Sequence, residues 1–282
     1  MKTRILTALV ALPILIASIV LPLYFPTISA LPYIFVAIAV LALGAGLFEF
    51  YSLTKKLELK SDASIGYLGA AVLTTAFIFD APSKAPDLLI LSLAFFIILT
   101  LITQTFRFQA DFSKMLTGAG VTFLGVFYVI FLGGFLIAIR IGFDVFLSTK
   151  LLGFFFLILM GADTGAYFAG KSFGKHKLSP KISPGKTVEG LIGGIAASLL
   201  FAVLAHYWFF PELSLKFALP LAGVMAIVSV LGDLAESAMK RGSDAKDAAN
   251  ILPGHGGLLD RLDSLLFNAP ILYYFAKLFL VN

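Results

Sequence analysis

The 282-residue chain is 60% hydrophobic, only 13% charged, carries a formal net charge of +5 and contains no cysteine. A soluble domain carries about a quarter charged residues, so ordinary soluble globular folds are excluded, and the missing thiols exclude disulfides, thiolate catalysis and Cys-ligated zinc or iron–sulfur centres. The apolar residues fall in solid blocks rather than short alternating segments, which excludes a transmembrane barrel and leaves an all-α, polytopic transmembrane helical bundle.

Nine spans are expected, at roughly 5–25, 29–51, 65–80, 88–105, 117–140, 150–169, 187–210, 217–238 and 264–281; most approach or exceed the length of about 18–20 apolar residues that crosses a bilayer. Lys2 and Arg4 precede an apolar run from Ile5 to Phe25, longer than the stretch of about 7–15 residues in a signal peptide, so it reads as a retained first helix. The third span is short and rich in Gly and Ala, as suits a tilted helix or one buried within the bundle. No internal repeat is evident, which argues against a transporter built from two symmetric halves. The chain divides into N-terminal helices over 1–140, about five spans, and a C-terminal region over 141–282, about four spans, with long loops at 170–187 and 239–263.

Nine spans place alternate loops on opposite sides. One side collects sixteen basic residues, among them Lys55, Lys56, Lys60, Arg107, Lys114, Lys171, Lys175, Lys177, Lys181, Lys186, Lys240, Arg241, Lys246 and Arg261; the other holds Lys84, Arg140, Lys150, Lys216 and Lys277. The positive-inside rule puts the N-terminus and both long loops in the cytoplasm. This topological use of charge accounts for the basic pI without nucleic-acid binding. It does not account for the two long loops, where carboxylates, Gly and Pro are interleaved with the basic residues; a polybasic lipid-docking patch contains few acids.

Carboxylates at membrane depth are expensive and usually functional. Asp163 lies near the cytoplasmic end of span six. Asp233, Glu236, Ser237 and Lys240 are spaced three and four apart toward the cytoplasmic end of span eight, which aligns them on one helical face; structural ion pairing of Asp233 or Glu236 with Lys240 is the simpler alternative. Asp260 and Asp263 are three apart at the start of span nine. Glu49 and Glu189, at span ends, read either as interfacial acids or as supporting partners of the site. Hard oxygen ligands without Cys and with few His suit Mg2+ better than Zn2+, and a divalent ion with Lys and Arg around it is a common electrostatic solution for phosphoryl or nucleotidyl transfer. Gly254, Gly256 and Gly257 would let backbone approach phosphates, or simply make a turn. His255 suits a phosphate contact or proton transfer, His206 an interfacial belt, and His176 a polar position in the basic loop. Gly165 to Ser172 fits the Walker A pattern by letter, but no strand precedes it; Gly161 and Gly165 read instead as a small-residue packing face.

The C-terminal run resembles the signature of the phosphatidate cytidylyltransferase family, the CDP-diacylglycerol synthases. Ser237, Lys240, Arg241, Lys246, Asp247, Ala249, Pro253, His255, Gly256, Gly257, Asp260, Arg261 and Asp263 all fit it. The upstream runs Asp163 to Lys171 and Ser183 to Gly190 resemble the family as well, with Gly185 standing where a second Lys is frequent. The detailed resemblance covers roughly residues 160–265; the earlier spans match only as generic membrane helices. It implies a multi-pass protein of the plasma (inner) membrane, with a cytoplasmic active site that joins CTP and phosphatidate into CDP-diacylglycerol and pyrophosphate. The implied cofactor is Mg2+, with room for a second cation. On this reading Asp260, Asp233, Lys240 and His255 are catalytic, and Asp260 and Asp233 hold the metal with Asp163 or Asp263 completing the site. Lys186, Thr187, Ser183, Arg241, Lys246, Gly256, Gly257 and Arg261 bind substrate. Phosphatidate would reach the site sideways between helices, and Gly190 with Gly194 offers a small-residue face for a homodimer.

Three rivals are weaker. A CDP-alcohol phosphotransferase requires a glycine where Ser264 follows Asp263 and further acids downstream. An aspartate-rich prenyltransferase needs two acidic motifs, and Asp163 stands alone. An ion-coupled transporter would carry its acids at mid-bilayer. A related membrane enzyme acting on another lipid or prenyl phosphate is the nearest alternative.

Overall fold

The computed structural model describes residues 2–57, 59, 61–83, 86–107, 113–242 and 257–281, with backbone alone for residues 2–8 and 83. The expected spans are all helical: α1 (Lys2–Tyr24), α2 (Pro32–Lys56), α3 (Ala63–Ser83), α4 (Asp87–Arg107), α5 (Ser113–Gly125) continuing through a π-helical turn (Val126–Phe131) into α6 (Leu132–Ile141), α7 (Val145–Phe173), α8 (Val188–Trp208), α9 (Leu215–Gly242) and α10 (Leu259–Phe279). Among the described residues seven of these segments are long and apolar enough to cross a membrane, and α1 adds a shorter apolar stretch, Leu9–Tyr24. The outer surface is apolar too, with Leu41, Leu91, Leu116 and Leu200 exposed, the pattern of a bundle whose solvent is lipid. The third helix corrects its expected shortness: with 21 residues it is long and apolar enough to cross a membrane. Its glycines serve close packing, since a Cβ on Gly69 would meet the Phe96 ring at 2.3 Å.

Backbone groups that leave the helical ladder at membrane depth need partners inside the protein. Asp144 caps α7 by accepting from the N–H groups of Phe146 (2.9 Å) and Leu147 (3.0 Å). Pro22 in α1 lacks the N–H that the Ser18 carbonyl would receive four residues earlier. Arg140, 1% exposed, donates its Nη2 to that carbonyl at 3.2 Å. The Thr149 hydroxyl donates to the next carbonyl, Ile19, at 3.1 Å. Arg140 Nη1 reaches Thr149 Oγ1 at 3.1 Å, so the proline break in α1 is stitched to α6 and α7 at once.

Helices α7 and α8 form the tightest pair. A Cβ on Gly165 would stand 2.4 Å from that of Ala197, one on Gly193 would stand 2.2 Å from that of Ala169, and ones on Gly190 and Gly194 would stand 3.0 Å from the carbonyl oxygens of Ala166 and Ala162. The packing role expected for Gly161 and Gly165 is therefore borne out, and the Walker-like letters lie in continuous helix. Gly190 and Gly194 are used within the chain, which removes them as the face on which a second copy would dock.

The loop at 170–187 is not plain loop. After α7 ends at Phe173, β1 (Lys177–Ser179) and β2 (Ser183–Thr187) pair antiparallel. Glu189 locks the base of this hairpin: its carboxylate accepts from the backbone N–H of Lys175 (3.1 Å) and pairs with His176 Nδ1 at 2.6 Å. His176 is thus a structural partner rather than one more polar residue of a basic loop. Replacing Arg140 by Leu should destabilise the bundle by about 1–3 kcal/mol, the cost of an orphaned buried carbonyl, measured as a lower melting temperature in detergent; Lys150→Met, removing a half-exposed pair with Glu212, should change it little.

Candidate active site

The C-terminal part of α7, the hairpin, the start of α8 and the C-terminal part of α9 enclose a cleft of about 450 Å3. Asp163, Tyr167 and Lys171 of α7, Lys186 and Thr187 of the hairpin, and Ser229 and Asp233 of α9 line it. The hairpin is what delivers Lys186: at the end of β2, just before α8, it pairs with Asp233 at 2.6 Å. Thr187 turns the strand into α8 as its N-cap, its hydroxyl accepting from Gly190 N at 3.1 Å. At the end of α9, Arg241 donates its Nε to the Ile182 carbonyl at 3.2 Å and ties α9 to the hairpin.

Lys240 forms a second centre. Its ammonium lies 2.7 Å from Glu236, one helical turn back and 1% exposed, and 2.9 Å from Asp260 at the start of α10. A lysine between a buried and a half-buried carboxylate offsets their mutual repulsion, and removing it would leave both uncompensated. The pairing alternative considered from the sequence is right for Glu236, whereas Asp233 pairs with Lys186 and receives the Ser237 hydroxyl at 3.2 Å.

Asp163, Asp233 and Asp263 stand within electrostatic reach of one another, with Lys186 beside them and Arg261 beside Asp163. The proximity of Asp263 to Asp233 depends on a residue that the sequence reading missed. A Cβ on Gly232 would stand 2.6 Å from the Asp263 carbonyl oxygen, so only glycine admits α10 at that depth. Two further residues escaped notice or remained ambiguous. Glu49 of α2 receives two backbone N–H groups at the start of α10. Tyr128, in the π-helical turn, is buried within electrostatic reach of Asp263, Glu236, Asp233 and Asp260, and among the described residues its hydroxyl has no hydrogen-bond partner; π-turns of this kind often accompany functional sites.

The expected site residues are thus largely brought together, in two neighbouring groups rather than one. Asp233, Asp163, Asp263 and Lys186 form the first, and Lys240, Glu236 and Asp260 the second. Asp260 also takes a hydrogen bond from the Gly257 backbone. Ser183 lies on β2 but not on the cleft wall. His255, Lys246 and Gly256, together with Asp247, Ala249 and Pro253, lie outside the described residues. Five carboxylates (Asp163, Asp233, Glu236, Asp260, Asp263) gather with three basic side chains (Lys186, Lys240, Arg261). That excess of hard oxygen donors suits a divalent cation, although among the described residues no three acid or imidazole side chains already stand at metal-ligand spacing.

Beside the start of α10 lies a second cavity, also of about 450 Å3. It is apolar, bounded by Leu12 and Leu15 of α1, Ala42 of α2, Met160 of α7 and Leu262 of α10, with Arg261 among its lining.

Fold and site together define a polytopic helical membrane protein that concentrates acids and lysines in a cleft at one end of the bundle. A profile described as the cytidylyltransferase family matches residues 2–279. A phosphatidate cytidylyltransferase of Bacillus subtilis (strain 168) is 36% identical over 285 residues, 99% of this chain and 98% of that one. One from Haemophilus influenzae is 43% identical over 136 residues, 47% of each chain, and one from Staphylococcus haemolyticus is 43% identical over 139 residues, 48% of this chain and 54% of that one. The chain belongs to the cytidylyltransferase family.

Gly232→Ala should cost about 1–3 kcal/mol, the range for overpacking a tight contact, seen as a fall in melting temperature. Gly44→Ala is the control: a Cβ there meets nothing within 4 Å, and the protein should hold or gain stability.

Proposed function

We propose that the protein joins CTP and phosphatidate into CDP-diacylglycerol and pyrophosphate, at the cytoplasmic face of the plasma membrane. The observation that carries this reading is that one residue, Arg261, relates an apolar cavity to the charged cleft. This residue lines the apolar groove and stands within electrostatic reach of Asp163 on the wall of the charged cleft. A reaction between a soluble nucleotide and a lipid phosphate needs that juxtaposition, with a wet charged site beside a path for hydrocarbon. The full-length similarity to a Bacillus subtilis phosphatidate cytidylyltransferase supports the same substrates. The sixteen-to-five distribution of basic residues between the two sides supports the cytoplasmic orientation.

In the proposed step an oxygen of the phosphatidate phosphate attacks the α-phosphorus of CTP, the bond to the bridging β-phosphate oxygen breaks, and pyrophosphate leaves. The nucleophile is already ionised at neutral pH, so the residues need supply no strong base. The barrier lies in bringing two polyanions together. Lys186 and Lys240, each held by carboxylates, are prealigned cations, and Arg261 would meet the lipid phosphate where the groove ends. Asp233, with Asp163 and Asp263 beside it, would hold a divalent cation such as Mg2+, whose charge would screen the approaching phosphates and the departing pyrophosphate. Asp260 would keep Lys240 in register with the cleft.

The deciding experiment is a CTP assay on detergent-purified protein with phosphatidate, following lipid-linked cytidine with and without EDTA. We expect metal-dependent CDP-diacylglycerol and at least a 100-fold loss of turnover in a folded Asp260→Asn variant, about the effect of removing one positioned electrostatic group. Near-normal turnover in that variant would remove Asp260 from the machinery. No product from a protein that binds CTP would move the acceptor to another lipid or prenyl phosphate, and no CTP binding would overturn the reading altogether. The groove has its own test: Ala42→Phe should lower activity on long-chain phosphatidate more than on a short-chain analogue, whereas an equal loss on both would mean that acyl chains do not use this path.

A further inference from the structure

Helix α10 begins with Leu258 at its N-cap, which offers no side-chain acceptor, although the first N–H groups of any helix lack intrahelical partners. The partner comes from 209 residues away. Glu49, 0% exposed on α2, accepts from Leu258 N through Oε1 at 2.8 Å and from Leu259 N through Oε2 at 2.7 Å. One turn earlier on α2, Gly46 makes room for the contact: a Cβ there would lie 3.1 Å from Leu262 and 3.7 Å from Leu259. Asp260 follows the two capped residues directly and Asp263 comes one turn later. The carboxylate therefore grips the helix at the point from which both acids project.

We propose that Glu49 is a positioning residue for the transfer reaction, fixing the depth and rotation of the first turn of α10 so that Asp260 meets Lys240 and Asp263 stands beside Asp233. The inference rests on the cytidylyltransferase reading for its kinetic consequence, and on the geometry alone for its structural one. Only a carboxylate serves here, because it presents two acceptor oxygens, whereas glutamine presents one acceptor and aims an NH2 donor at the second N–H. Glu49 is fully buried, so a donor left unpaired there carries its desolvation cost. The first turn of α10, in the C-terminal region, is thereby held by a helix of the N-terminal half, a connection that gives the early spans a part in the chemistry.

The test compares wild-type protein with Glu49→Gln and Glu49→Asp, using hydrogen–deuterium exchange across residues 257–263 together with kcat and the KM for CTP. The expected result for Glu49→Gln is faster exchange confined to that segment, a KM for CTP within about twofold of wild type, and a kcat lowered about 10- to 100-fold, the scale for displacing reacting groups by an ångström. Glu49→Asp keeps both acceptors on a shorter stem, and should recover part of the kcat and part of the protection. Wild-type kcat with wild-type exchange in a folded Glu49→Gln would overturn the proposal. So would a loss of stability and protection spread over the whole bundle with kcat per folded enzyme unchanged, because that is a purely structural role. If Glu49→Gln does not fold, Glu49→Asp alone decides, and wild-type behaviour there refutes the idea. If the wild-type protein itself turns over no CTP, the substrate assignment fails while the exchange measurement still decides whether Glu49 holds α10.

Discussion

At membrane depth there is no water to satisfy a polar group, so each one that leaves the regular helical ladder must be answered from within the chain. Much of this structure follows from that constraint. The carbonyl freed by Pro22 is answered by Arg140, the start of α7 by Asp144, the start of α8 by Thr187 and the start of α10 by Glu49. Two of these partners are far off in the chain. Arg140 and Ser18 are 122 residues apart, and Glu49 and Leu258 are 209 apart. A helix break that would be a minor defect in water becomes a long-range tie in lipid, and the ties set which helices sit side by side.

The second ordering principle is size. Lipid gives little reward for apolar helix contact, so close association relies on small residues and the van der Waals contact that they permit. The glycines of α7 and α8 bring two backbones together and thereby hang the hairpin over the cleft; Gly232 brings α10 against α9 and so brings two aspartates into one field. The charged site is thus a by-product of where side chains are missing. Its own polar contacts come after: Lys186 on Asp233, and Lys240 between Glu236 and Asp260.

The electrostatic character of the cleft is mixed rather than simply basic. A purely cationic cleft would bind polyphosphate tightly and release it slowly. Lysines already paired with acids are held in place at little cost of reorganisation, which is the condition under which fixed charges act most strongly on a reaction. The proposed chemistry takes advantage of this, with carboxylates in excess for a metal and cations spaced for phosphate oxygens.

Composition and the lengths of the apolar blocks were enough to show a polytopic helical bundle, because hydrocarbon thickness acts on local sequence; among the described residues seven helical segments are long and apolar enough to span. The signature from Ser237 to Asp263 was enough to show the family, because its residues are close together in the chain. The hairpin was not legible, since its strands are three and five residues long and are held by Glu189 from the next helix. The π-turn within the fifth span was not legible either, nor was the regrouping of the aspartates into two centres, which depends on the helix–helix approach at Gly232. Glu49 was visible only as an acid near a helix end. Nothing in its neighbourhood names α10 as its partner, because a carboxylate that caps a helix two hundred residues away leaves no periodicity or spacing to read. The sequence by itself therefore determined the helical elements and the family. Which acid faces which lysine was decided only in the tertiary structure, where desolvation forces each buried polar group to find its partner in space rather than along the chain.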